Sequence, residues 1–577
     1  MKKNNLRLLG SFSLALCVAS FALACGDKDT DDGGIGGGGT GGADGSATGG
    51  RGTGTGGVDG GLGGVGGRPI DPDAPQVLKE ATKVLDNAIN PYGVIFGTDG
   101  KIYVSGTTDL GGVLEAQDNA NLRLAVWRLN TDGTLDTGWG TNGVAVADSA
   151  ANAGSATFAN PGTSYDIVEL ADKSFVVHTA GAQGVALTKL SAAGDFSEPN
   201  FITAGWNTLD RSSLNDLAVA AKAACDADST SADCTTKTAA AVAVWPALTA
   251  PNFAERPGQL SGWGMALDNS GTAEKLVLFM VGPAAKVASG VQRTDADRYI
   301  VRVDAGTLAV DGDFNGGAAF VMDVNGAGLD NNSRRGAVLD DGSIVSAGYS
   351  SYGGVLHVEL IKLLPTGTAD PAFSFANSAQ AATYPALPGL AFFNPYTQGG
   401  PEAYAVKELS TGTLVTTGYG VSNFDVQTTE NDLVSFAVQG DGLDVEFGGN
   451  KANDAAFFGS FAVQSEGDPN AGFGARPYRD NGRDLVVLSD NRTVQVGCYD
   501  DAAAIFVVTP DGKLDSNVGQ GTGRLQYSYP SPFFKVAASA NQSLLAATAS
   551  SRPKVTTGTG SYAKALVALV KVTDAVN

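Results

Sequence analysis

The chain has 577 residues, 79 of them glycine, and a formal net charge of −22 at pH 7. Sixty acidic against 38 basic side chains leave no basic footprint for nucleic acid or for an anionic lipid surface. The two histidines, His178 and His357, exclude multi-histidine metal sites and argue against a Ser-His-Asp arrangement.

Lys2, Lys3 and Arg7 precede an apolar run over residues 8–24, too short for a membrane span, which reads as a secretory signal. It ends in Ala22-Leu23-Ala24-Cys25. This resembles the bacterial lipobox, cut before its cysteine. The resemblance implies that Cys25 becomes the first mature residue, carries the acyl chains and anchors the protein to a membrane. Without the three basic residues of the signal, the net charge deepens to −25. Residues 25–75 form a tether that is mostly glycine from Gly33 to Gly67. It has no side chains with which to build a core, and its reach is on the order of 30–35 Å for about 35 flexible residues. No GK[S/T] or helix start follows, so the glycines are not a phosphate loop. Gly26 replaces the aspartate that sorting rules read as inner-membrane retention, which by analogy points to the outer membrane of the cell envelope.

The domain over residues 76–577 is too long for one compact core, and a repeat resolves this. Its first stretch, Val77–Leu85, reads as a strand with no partner of its own. Then comes a two-part phrase, Tyr92–Gly106 (YGVIFGTDGKIYVSG) and Leu122–Val146 (LRLAVWRLNTDGTLDTGWGTNGVAV). Each half is an apolar run, an Asp-Gly turn and another apolar run, which is a β-hairpin; two hairpins make one four-stranded propeller blade. The turn recurs at 99, 172, 269, 341, 411, 490 and 541. Gly106, Gly348, Gly418 and Gly497 each follow their turn by seven residues, with Thr at the same place in the copies at 172 and 541. In the second hairpin, Leu135, Leu443 and Leu514 are expected to pack back on the blade. Asp136, Asp444 and Asp515 are expected to cap the turn through backbone amides.

The copy at 172 is followed by an insertion at about 207–260. Leu214–Ala224 and Thr235–Val244 read as helices, and Cys225 and Cys234 are placed to staple the loop between them by a disulfide in an oxidising compartment. Asp226, Asp228 and Asp233 beside them are weak calcium candidates, with solvation the default. The insertion is either a binding face or a tolerated decoration. After the seventh turn only one further strand remains, Lys564–Val572. The partnerless N-terminal strand is therefore expected to complete that blade and close the ring. The fold class is all-β: a propeller of four-stranded antiparallel blades, seven in number with six or eight as alternatives, plus a small helical insertion.

The phrase DG-K-I-x-V-x-G followed by R-L-N-x-D-G-x-L-D is similar to the delta-60 repeat family. The resemblance implies a bacterial β-propeller in an exported protein, and it carries no catalytic residues.

The remaining sequence is thin in chemistry. Cys498, inside VQVGCYDD, reads as a buried, inert thiol rather than a nucleophile, because no histidine lies near it in sequence to activate it. His357 alternates with apolar residues and is expected on a blade surface or in solvent. Trp206, Trp245, Trp263, Phe392, Phe393, Tyr396, Phe457 and Phe458 are candidates for a rim that binds sugars or peptides, or for packing between blades. No catalytic, cofactor or metal residue is assigned. The expected function is a membrane-anchored binding or scaffold module for a protein or polysaccharide partner. The alternatives are an extracytoplasmic polysaccharide lyase or hydrolase working at the channel, and a purely structural surface lipoprotein. Inward-facing Asp, Glu, Arg and Tyr at one channel mouth would mark the enzyme; a flat aromatic patch on the rim would mark the binder.

Overall fold

In a computed structural model, seven separate sheets follow one another along the chain. The structure describes residues 77–86, 88–109, 122–147, 163–181, 184–197, 200–201, 220–244 except 222 and 226, 261–283, 296–324, 331–352, 355–378, 387–394, 400–420, 432–439, 442–444, 447–448, 460–463, 480–499, 502–529, 531–551 and 564–572. Residues 1–76, with the signal, Cys25 and the tether, lie outside this set.

Each sheet is a blade whose strands run antiparallel from the first strand outward. The first strands are Ala88–Phe96, Thr163–Glu169, Ser261–Asp268, Asn331–Val338, Pro401–Glu408, Asn481–Val487 and Phe533–Ala538. Each touches the first strand of the next blade, and the seventh touches the first, so these strands form a closed inner ring. Blade faces pack on blade faces. Among the described residues, seven apolar clusters fill the seven gaps, from Tyr103, Val126 and Phe175 between blades one and two to Leu85, Val104 and Val567 between blades seven and one. Burial on both faces explains why the strands read as clustered rather than alternating apolar runs.

The ring closes as expected. Strand Val77–Asp86 pairs with Lys564–Val572, Val77 opposite Val572 and Asp86 opposite Lys564, and becomes the outermost strand of blade seven. Antiparallel succession puts every turn between first and second strands, and between third and fourth, on one face of the disc. The other face carries the connections between blades and between second and third strands. Val77 begins on the turn face, beside the Asn541 turn, where the Val572 amide donates to the Ser543 carbonyl.

Two blades depart from the repeat. In blade four the fourth place is taken by Leu390–Asn394, and Ser374–Ser378 adds outside it in parallel. Phe392 and Phe393, expected in a loop, are wholly buried there. In blade five, Gly442–Leu443 and Ser460–Val463 both pair with Asp432–Gln439.

The insertion contains helix Ala232–Val244 and helical residues at 220, 221 and 223–225. A disulfide joins Cys225 to Cys234. Cys498 in blade six is buried as expected but is itself disulfide-bonded, so the inert-thiol reading does not hold. The loop between them is closed by the Asp228 carboxylate, which accepts from the amide and hydroxyl of Thr230, and Asp233 pairs with Lys237 at 2.9 Å. These aspartates serve local turn and helix chemistry. Of the helix expected over Leu214–Ala224, residues 214–219 and 222 lie outside the described residues.

Candidate functional site: the central channel

The recurring glycine marks a break in the ladder. All seven inner strands carry a β-bulge. Gly348, Gly418 and Gly497 on the second strands sit against this break: a Cβ there would lie 2.1, 1.8 and 1.8 Å from the carbonyls of Asn332, Glu402 and Asn481. A bulge leaves its extra residue unpaired and re-aims the side chain. The re-aimed residues are Tyr92, Tyr165, Trp263, Arg334, Tyr404, Arg483 and Phe534, one per blade. They meet in the channel. Tyr92 lies 4.2 Å from Phe534 and 5.9 Å from Tyr165 between ring centroids; Tyr165 is 5.1 Å from Trp263, and Trp263 6.2 Å from Tyr404. The guanidinium carbons of Arg334 and Arg483 each lie 4.4 Å from the Tyr404 centroid.

A second layer follows one residue further along the strands. Asp166, Arg335, Asp484 and Lys535 carry charge there; Gly93, Gly264 and Ala405 leave room. Arg335 uses that room. A Cβ on Gly264 would lie 3.2 Å from the Arg335 Cα. From blade four Arg335 reaches across the axis to blades one, two and seven. Its Nη2 donates to the carbonyls of Tyr92 (3.2 Å) and Phe534 (3.3 Å), and its Nη1 to the Tyr165 carbonyl (3.1 Å) and Asp166 Oδ2 (3.4 Å). These three carbonyls belong to bulge residues, so Arg335 supplies partners that the broken ladders cannot. Lys535 Nζ lies 3.1 Å from Asp166 Oδ2 and 3.7 Å from Asp484 Oδ2. Deeper still, loss of water lowers the pKa of Lys407, against the pull of Asp484 and Asp166. In this charged layer Arg335 and Lys535 thus share Asp166, and Lys535 also approaches Asp484.

This cluster of inward-facing Asp, Glu, Arg and Tyr meets the criterion set above for an enzyme. Two of the buried groups beside it are shifted the other way. Arg334 pairs with buried Glu402 at 3.5 Å. Burial, with Glu402 and Tyr404 adding, holds the Tyr419 hydroxyl well above its ordinary pKa. His178, wholly buried against Gly262, has its pKa pushed down to about 4 by burial. Neither Tyr419 nor His178 is poised as a base near neutrality. His357 is also buried, stacked on Phe392 at 4.9 Å, so the blade-surface reading holds and the solvent reading does not.

The pKa of His178 predicts a pH effect. The unfolded chain takes up the proton near pH 6.5, the folded one only near 4, so stability falls as pH drops through this window. Glu359, raised to about 7 by burial beside Arg298, has the opposite slope. The difference between wild type and His178→Leu isolates the histidine. Urea unfolding should show the variant gaining about 2–3 kcal/mol relative to wild type on going from about pH 7 to 4.5.

The repeat aspartates lie on the turn face. Asp136 and Asp515 accept from the amides of Gly138 and Asn517, as expected. They also pair with Arg128 (2.7 Å) and Arg492 (2.8 Å), ion pairs the sequence reading missed. Leu135 and Leu514 bridge back to Leu129 and Val508, and Leu443 pairs with Val438. Of the proposed rim aromatics, Trp263 is in the channel, while Trp206, Trp245, Tyr396, Phe457 and Phe458 lie outside the described residues. Among the described residues no group of His, Cys, Asp or Glu could hold a metal ion.

Residues 97–138 and 339–373 match a family model described as a domain of unknown function (DUF5122) β-propeller. The chain is a propeller, and these two stretches carry a repeat of the delta-60 type. The matched stretches span the inner turn, the next two strands and the outer turn of blade one, and the corresponding part of blade four. Among solved structures the propeller is similar to the polysaccharide lyase Uly1, with 11% identity, a TM-score of 0.41, and 84% of this chain and 91% of that one covered. It is also similar to Drosophila Semaphorin 2a, with 8% identity, a TM-score of 0.34, and 88% and 76% covered. Neither likeness bears on chemistry. No curated protein sequence matches the chain.

Proposed function

We propose that this protein is an exported propeller, lipid-anchored through Cys25 in the cell envelope at the outer membrane, and that it binds a protein or polysaccharide partner. The observation that carries the binding reading is the state of the channel. Its charged groups are spent on one another and on the backbone, and its buried tyrosine and histidine have pKa values moved away from neutrality. That suits recognition better than proton transfer, so the lyase or hydrolase reading takes second place. The unlike faces add support. The turn face is latched by its own side chains, with Glu169 accepting from the Thr98 amide and hydroxyl, and Gln542 from the Ser489 amide. The opposite face carries the connections, where variation leaves the blades undisturbed.

Two experiments test this. The Cys25→Ala protein should leave the membrane fraction; continued fractionation with membranes would end the anchor claim. A soluble 68–577 fragment incubated with intact cells should retain a specific partner. Retention of none, or turnover of a polysaccharide by the fragment, would return the enzyme reading to first place.

A further inference from the structure

We propose that Lys407, in the turn-face half of the channel, is a nucleophilic amine that takes a short aliphatic aldehyde as a Schiff base; the site is separate from the partner binding proposed above. Lys407 lies three residues beyond the bulge residue Tyr404 on the inner strand of blade five. The equivalent residues of the other blades are Ile95, Val168, Ala266, Ala337, Val486 and Ala537. Lys407 is therefore the single polar member of an aliphatic ring. All of these residues except Ala337 are partly exposed, and on innermost strands the water they meet is that of the channel. The charges that act on Lys407 are Asp484 of blade six, Lys535 of blade seven, Asp166 of blade two and Arg335 of blade four. Four blades thus surround the amine, which points toward the axis rather than into one gap between blades.

Arg335 and Lys535 are held by Asp166. Lys407 has no such partner: among the described residues, no hydrogen bond or ion pair reaches its Nζ. Loss of water is the largest influence on this amine and disfavours its charged form, against the pull of Asp484 and Asp166. A lysine desolvated among apolar side chains keeps a neutral, nucleophilic amine. The Ile, Val and Ala side chains beside it wall a short alkyl chain and offer no donor or acceptor to a sugar hydroxyl. The step balances without an oxidant or reductant. The Nζ lone pair attacks the aldehyde carbon, the carbonyl π pair moves to oxygen, and a proton passes from nitrogen to oxygen to give a carbinolamine. The nitrogen lone pair then expels the hydroxyl, which leaves as water with a proton from solvent. The iminium forms in the field of the Asp484 carboxylate, and loss of its N–H proton to solvent leaves the imine.

The test treats the full chain, purified in detergent, with butanal and cyanoborohydride near neutral pH. The hydride reduces an imine to a stable butylamine, and peptide mass spectrometry locates the labelled lysines. Lys407 should be butylated at least about tenfold faster than exposed lysines such as Lys173 and Lys513, which stay protonated at this pH. Its rate should saturate with butanal, as a bound aldehyde requires, while theirs should rise in proportion. Lys407→Met and Lys407→Arg should each fold and lose the fast label. Asp484→Asn keeps an acceptor for the Val536 amide but removes the charge that most favours the ammonium, so the pH midpoint of labelling should fall. Labelling of Lys407 no faster than that of Lys513, a rate that never saturates, a fast label that persists in either Lys407 variant, or an unmoved midpoint in folded Asp484→Asn overturns the site. Capture of a partner by the 68–577 fragment does not depend on Lys407, so the two readings fail separately.

Discussion

Replacing Arg335 with alanine should cost about 3–5 kcal/mol, the range for breaking a buried ion pair by removing one partner. The loss has a specific origin. The carbonyls of Tyr92, Tyr165 and Phe534 would lose a donor, and Asp166 would keep Lys535 but lose its guanidinium. Arg335→Lys should recover less than half, because one ammonium cannot reach three carbonyls on three blades. Urea unfolding should show a lower midpoint with an unchanged slope, the mark of lost stability rather than altered compactness. A loss under about 1 kcal/mol would show that water in the channel replaces the guanidinium adequately.

Deleting residues 76–86 should have a comparable or larger effect, on the order of 5 kcal/mol, from the nearly full burial of Leu85 and the loss of a ladder from Val77 to Asp86. It should also change behaviour in solution. Lys564–Val572 (KALVALVKV) would become an open edge, with Val567, Leu569 and Val570 no longer shielded by a neighbouring strand. An exposed apolar edge is a template for pairing with another chain. Size-exclusion chromatography should therefore show concentration-dependent association alongside the lowered melting temperature. An unchanged melting temperature would remove strand closure as a source of stability.

The blades were legible because their signals are local. An Asp-Gly turn such as Asp99-Gly100 has a left-handed glycine whose requirement is written in two residues. The glycine seven residues later was visible as a repeat, but its reason was not, since it answers a bulge on the preceding strand. The bulge residue stands seven positions before the turn in six blades and six before it in blade three, and its identity changes from Tyr to Trp to Arg to Phe, so no motif repeats there. Its partners are also remote: Arg335 and Tyr92 are 243 residues apart. The place of Leu390–Asn394 in blade four was not legible, for a different reason. The outer turn and the strand Ser374–Ser378 come first in sequence, and nothing local says that a later segment will take the inner position. The Arg128–Asp136 pair escaped because it joins a strand to the turn beyond it.

The position of Val77 fixes how the disc can present itself. The chain enters at the rim of the turn face, beside the Asn541 turn, and reaches the inner ring only after crossing the full height of blade seven. Under the anchor at Cys25 proposed above, a leash pulling on that rim would lay the turns toward its point of attachment and turn the opposite side outward. The disc would hang from its edge like a dish, with Trp263 and Arg483 on the side facing away from the surface that holds it. Under that proposal, the same topology that hides an edge strand would also set the orientation.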